Sequence, residues 1–100
     1  MIYDIREYTN DDIGAAKSLW CSTFGDPPDL VGSFFELLPS MGTGFVAEFD
    51  GEVFGAAYVL DAFLHLPDSS TKKIAYIYAV AVDDSVRGRG IGAELTRACM

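Results

Sequence analysis

The segment Arg87-Gly88-Arg89-Gly90-Ile91-Gly92 is the stretch of this chain whose residue types and spacing best suit chemistry. Its glycines open what reads as a helix, with Ile91, Leu95 and Ala98 at helical spacing toward Met100. A helix N-terminus exposes unpaired backbone N–H groups and the positive end of the helix dipole, so it holds anions. Gly88, Gly90 and Gly92 carry no Cβ that would keep a diphosphate from those amides. Arg87 and Arg89 add positive charge at the same place, in a chain otherwise poor in base. The spacing alone leaves a second reading equally open, a tight strand-to-helix turn whose glycines serve packing.

What the loop lacks narrows the kind of diphosphate. It has no Gly-Lys-Ser/Thr ending, which argues against a P-loop and nucleoside triphosphate hydrolysis. Gly88-x-Gly90-x-x-Ala93 satisfies the loose dinucleotide fingerprint. That fingerprint belongs after the first strand, with an acidic residue about 20 positions further on. Here it follows several strands and the sequence ends first. A dinucleotide-dependent oxidoreductase stays as an alternative.

The elements that must position this loop are legible from periodicity and turn chemistry. Ile2 to Tyr8 alternates as a half-buried strand. Thr9-Asn10-Asp11-Asp12 starts a helix whose apolar face is Ile13, Ala16, Trp20 and Phe24, with Gly25 as its C-terminal cap and Asp26-Pro27-Pro28 as its stop. A second helix is predicted from about Pro28 to Leu38, followed by a loop from Pro39 to Gly44. Strands Gly44 to Phe49 and Glu52 to Leu60 flank Asp50-Gly51, a strong hairpin signal. Leu64 to Lys73 reads as a polar loop. Ile74 to Val82 is apolar on both faces and reads as a central strand rather than an edge. The order β-α-α-β-β-β-α predicts a single α+β domain over residues 1–100, built on a mostly antiparallel sheet with flanking helices.

Composition bounds the rest. One hundred residues, half of them hydrophobic, allow one small core that buries a little over ~60% of the unfolded surface. The net charge of -8 would repel a phosphate-rich polymer, so no nucleic-acid partner is expected. Cys21 and Cys99 stand far apart without a CxxC pair, and His65 is the only histidine, so neither a metal site nor a disulfide framework is expected. Charges at Asp4 and Arg6 come too early for a signal peptide, and the apolar runs are too short to cross a membrane. A cytoplasmic protein with no membrane partner is the expectation.

At these residues the sequence resembles the GNAT family of N-acetyltransferases. Arg87-x-x-Gly90-x-Gly92, preceded by an apolar strand ending in Val82-Asp83, is similar to that family's Arg/Gln-x-x-Gly-x-Gly/Ala signature, and the element order before it is similar too. The resemblance implies the acyl-CoA N-acyltransferase fold, with the strands and helix that end the family's fold absent from this sequence. It also implies transfer of an acetyl group from acetyl-CoA to a primary amine, on a small molecule or a peptide, by direct attack in a ternary complex. The positions matching the pyrophosphate-binding loop are Arg87, Gly88, Arg89, Gly90, Ile91 and Gly92. Backbone groups of Val80 and Val82 match those that pair with the pantetheine arm, and the Val80 amide would stabilise the oxyanion.

Tyr76 occupies the position where some relatives carry a glutamate base. A phenol with a pKa near ~10 is a poor base at neutral pH, so Tyr76 is a candidate only by position. Tyr78, two residues on, is expected on the same face. The resemblance places the segment joining the first two helices at the acceptor pocket, where Asp26 and Asp29 could receive a cationic amine. A non-catalytic CoA-binding or regulatory module is the alternative of a different class. An exposed strand edge after Val82 would favour completion of the sheet by a second segment or a second copy in a homo-oligomer.

Overall fold

Asp50 and Gly51 both adopt positive φ, 53° and 79°, as a two-residue turn matched to the right-handed strand twist requires. They join β2 (Gly42–Phe49) to β3 (Glu52–His65), and the hairpin organises the fold. The computed structural model describes residues 3–86 and 90–100. β1 (Asp4–Glu7) pairs with β2, and β4 (Thr71–Val82) pairs with β3, so the sheet order is β1-β2-β3-β4 and every pairing is antiparallel. Helices α1 (Ile13–Phe24) and α2 (Pro28–Met41) follow β1, and α3 (Ile91–Cys99) follows β4. The α+β order read from the sequence is therefore the order observed.

Two helical layers sandwich the sheet. α1 and α2 bury Ala16, Leu19, Trp20, Val31, Phe35 and Leu38 against Val46, Ala56, Tyr58 and Ala81. α3 lays Ile91, Leu95 and Cys99 on the opposite face, over Ala47 and Ala57. Small strand residues let α3 lie close: a Cβ at Gly55 would stand 2.9 Å from Leu95 Cδ1 and 3.1 Å from Ile91 Cγ2.

The structure corrects three expectations. α2 continues through Pro39 to Met41 instead of ending at Leu38, and β2 follows directly at Gly42, so the loop expected from Pro39 to Gly44 does not form. Proline removes one helix donor, but in the last turn the remaining bonds hold, and the Gly42 N–H closes the helix on the Leu38 carbonyl. The loop predicted over residues 64–73 is shorter, because β3 runs to His65 and β4 starts at Thr71. β4 is an edge strand, since among the described residues it pairs only with β3. Its apolar character on both faces reflects the helical layers above and below, and says nothing about how many strands lie beside it.

The entry into α1 is held by charge. Arg6 donates from Nη1 and Nη2 to the two carboxylate oxygens of Asp12 at 2.7 and 3.0 Å, and from Nε to Glu48 Oε2 at 3.2 Å. The Thr9 backbone N–H also donates to Asp12, at 2.7 Å, which closes the chain turn before the helix. Asp12 is buried, and the Arg6 hydrogen bond lowers its pKa from 3.8 to about 2 against the opposing effect of burial. A depressed folded-state pKa contributes stability that is present above the unfolded value and lost as pH falls through the folded one. The difference is equivalent to at most about 2.5 kcal/mol. Asp12→Asn should therefore cost about 2 kcal/mol at neutral pH. Chemical denaturation at stepped pH should show that the variant lacks the loss of stability seen in the native chain between about pH 4 and about pH 2.

Candidate functional site

β4 is bulged where it passes between the helical layers. Ala56 pairs with Ala81 and Tyr58 with Tyr78, so Ala79 and Val80 together stand opposite Ala57. Ala79 takes φ 55°, a left-handed conformation uncommon for a residue with a side chain. The extra residue changes which side chains share a face. Tyr78 and Ala79 turn toward α1 and α2, whereas Val80 and Val82 turn toward α3. Strict alternation would have put Tyr78 and Val80 on one face. No sequence signal marks the break.

Just past β4, the Asp83 N–H donates to the Phe54 carbonyl at 2.8 Å, and Asp83 Oδ1 accepts from the Ser85 N–H at 2.9 Å. This acidic turn, with a short 3-10 segment at Asp84–Val86, redirects the chain toward α3. Arg87, Gly88 and Arg89 of the predicted loop lie outside the described residues. Gly90 caps α3 with φ 78°, so the left-handed conformation itself accounts for a glycine there. Gly92 is different. A Cβ at Gly92 would make only ordinary contact, 3.7 Å from Val82 Cγ2 and 3.9 Å from Val80 Cγ1. Neither packing nor backbone conformation calls for glycine at 92.

The start of α3, the end of β4 and the end of α1 border an open cavity of about 380 Å³, lined by Thr23, Val80, Val82, Val86, Gly90, Ile91 and Gly92. Five of these are site residues predicted from the sequence, brought together across two elements. Thr23 and Val86 were not anticipated: Thr23 reaches the cavity because α1 ends beside β4, and Val86 because the acidic turn folds inward. The cavity runs along the end of β4, with the first turn of α3 at one end.

Two further cavities continue along β4 on the α1–α2 side. One, about 380 Å³, is lined by Trp20, Phe24, Asp26, Tyr78 and Ala79. The other, about 270 Å³, lies between α1 and α2 and shares Trp20, Asp26 and Tyr78 with it. Ala79 and Val80 are chain neighbours, as are Thr23 and Phe24, so the first two of these cavities flank the bulge. Tyr76 lines none of these three. Its ring is 54% exposed and stacks on Tyr78 at 6.3 Å. Asp29 is exposed and lines none of the three either. Glu48 is engaged by Arg6 and does not reach the cavities. Both cysteines are free thiols, and burial pushes the Cys99 thiol pKa up. Among the described residues, no cluster of His, Cys, Asp or Glu is placed to hold a metal ion, and no helix is long and apolar enough to cross a membrane.

Comparison with known proteins places this architecture. A family model described as an acetyltransferase (GNAT) domain matches residues 4–100. No curated protein sequence matches the chain. Among solved structures, the aminoglycoside N-acetyltransferase AAC(6')-Iy in complex with CoA superposes with a TM-score of 0.82 at 21% identity, over 97% of this chain and 66% of its own. Glucosamine-6-phosphate N-acetyltransferase from Arabidopsis thaliana gives 0.76 at 20% identity, over 100% of this chain and 73% of its own. A predicted acetyltransferase from Clostridium acetobutylicum with acetyl-CoA gives 0.80 at 16% identity, over 98% of this chain and 71% of its own. The chain thus spans about two thirds of the length of the first solved structure, 66%.

Proposed function

The chain belongs to the GNAT acetyltransferase family, and from that premise we propose that it transfers an acetyl group from acetyl-CoA to a primary amine. The observation that carries this reading is the cavity along the edge of β4, which joins the first turn of α3 to the bulge at Ala79 and Val80. In this reading the amides of Gly90, Ile91 and Gly92, with Arg87, Gly88 and Arg89 before them, hold the pyrophosphate of the co-substrate. Backbone groups of Val80 and Val82 pair with the pantetheine arm as an added strand would.

The bulge turns the backbone at Val80 out of the regular ladder, and its N–H becomes the donor to the thioester carbonyl. The amine nitrogen attacks that carbonyl carbon and the C–S bond breaks. The nitrogen loses a proton and the departing thiolate gains one, so charge balances across the transfer. Tyr76 keeps the position of the base suggested by the resemblance. Its exposed ring, stacked on Tyr78 outside the cavity walls, argues against a part in proton transfer. Beyond the cavity, the same strand edge offers a place for a further strand, from the same polypeptide or a second copy.

Calorimetric titration of acetyl-CoA into the protein, with NAD as the control, tests the reading. Saturable binding of acetyl-CoA without binding of NAD is expected. Binding of NAD alone would return the glycine loop to the dinucleotide fingerprint and sink the acetyltransferase proposal.

A further inference from the structure

The two cavities on the α1–α2 side of the bulge share three side chains, Trp20, Asp26 and Tyr78. The rings of Trp20, Phe34 and Tyr78 are mutual neighbours, with centroid separations of 4.8, 5.8 and 5.9 Å. They form a three-sided aromatic wall. Among the described residues, Asp26 is the only carboxylate lining either cavity, and it is fixed in place: the Trp20 Nε1–H donates to its Oδ2 at 2.8 Å. A carboxylate held at the edge of an aromatic cluster, in an otherwise apolar lining, is a receptor for an ammonium group by charge-assisted hydrogen bonding.

Resting on the acetyltransferase reading, we propose that the acceptor is a monocationic primary amine on an aryl or branched-alkyl body. Its nitrogen is received at Asp26 and its body seated between α1 and α2. The cavity that holds Asp26 also reaches Ala79, so an amine delivered there stands beside the bulge where the acetyl group is expected. The second cavity continues away from the bulge between Leu30, Phe34 and Leu37, and suits an apolar body. Leu30 and Leu37 are 60% and 57% exposed, so an apolar body seated there would take their side chains out of water.

The same lining argues against two other amine classes. A polycation such as an aminoglycoside or polyamine needs several anionic partners, and the described lining offers one carboxylate. An amino-sugar phosphate needs a cation for its phosphate, and among the described residues no Lys, Arg or His lines either cavity.

Trp20 is the only tryptophan in the chain, so its fluorescence reports occupancy of this cavity directly and without any acetyl transfer. Phenethylamine should change the emission saturably, with at least ~10-fold tighter binding than phenethyl alcohol, spermidine, kanamycin or glucosamine 6-phosphate. Asp26→Asn keeps an oxygen for the indole N–H. It should weaken phenethylamine by at least ~10-fold and leave phenethyl alcohol unchanged, which a general loss of structure would not do. Tighter binding of spermidine, kanamycin or the sugar phosphate would overturn the proposal, as would an Asp26→Asn variant that binds phenethylamine like the native chain. The acetyl-CoA titration separates the two readings. Phenethylamine binding without acetyl-CoA binding sinks the acetyltransferase reading and leaves the amine pocket standing, whereas acetyl-CoA binding with no response to any amine sinks the pocket.

Discussion

Replacing Gly92 with aspartate is expected to weaken acetyl-CoA binding by at least ~100-fold while the fold stays intact. The position is chosen for what it does not disturb. A Cβ at 92 meets Val82 Cγ2 at 3.7 Å and Val80 Cγ1 at 3.9 Å, ordinary contact distances. Gly92 is the second residue of α3, where a carboxylate complements the positive end of the helix dipole by about 0.3–1 kcal/mol. Loss of a glycine from a helix adds a favourable term of similar size. The same carboxylate projects into the cavity proposed for the pyrophosphate, where like charges repel in a partly desolvated site. Stability and binding should therefore move in opposite directions. Gly90 cannot give so clean an answer, because its φ of 78° would strain any side chain placed there. Calorimetry and thermal melting on one preparation make the measurement. A Gly92→Asp chain that still binds acetyl-CoA with native affinity would show that the ligand does not approach the first turn of α3.

Gly55→Val is expected to destabilise the domain by about 3 kcal/mol, at the upper end of what overpacking usually costs. Even a single Cβ at this strand position would come within 2.9 Å of Leu95 Cδ1, 3.1 Å of Ile91 Cγ2 and 3.3 Å of the Ala81 carbonyl oxygen. Leu95 and Ile91 are 0% and 2% exposed, so neither has room to swing away. The strain is relieved only by lifting α3 from the sheet, and α3 carries the first turn at which the cavity begins. In a domain of this size each kcal/mol shifts the melting temperature by about 4–8 °C, so a fall of more than ten degrees should be visible by circular dichroism. Acetyl-CoA binding should fall with it. Gly14→Ala is the matched control: Gly14 lies in α1 with nothing within 4 Å of its Cβ position, and the change should leave stability unchanged or raised. A Gly55→Val chain that melts like the native one would mean that α3 is not seated on Gly55.

Both variants concern glycines, yet the sequence pattern alone does not separate their roles. Gly25, Asp50-Gly51 and Gly90 could be interpreted from local context, because a helix stop, a two-residue hairpin and a helix start each demand a backbone conformation set by immediate neighbours. For the same reason the element order, the antiparallel hairpin and the glycine-rich start of the last helix were legible before any coordinates. Local rules also explain where the reading slipped. Pro39 suggested a helix end because the missing N–H weighs on the backbone, but the last helical turn tolerates it. The apolar run Ile74 to Val82 suggested a central strand because burial of both faces is visible in a sequence, whereas a missing neighbour in the hydrogen-bonding direction leaves no mark on side-chain type.

By itself, then, the sequence determined the elements, their order and most of the caps and turns between them, all consequences of interactions within a few residues. Only the tertiary structure decided the rest. The bulge at Ala79 and Val80 sends Tyr78 to one face and Val80 to the other, Thr23 arrives from a helix nearly sixty positions earlier, and Asp26 is set against the rings of Trp20 and Tyr78. These depend on register and on packing between elements distant in the chain, where one inserted residue in a strand reverses the facing of everything beyond it.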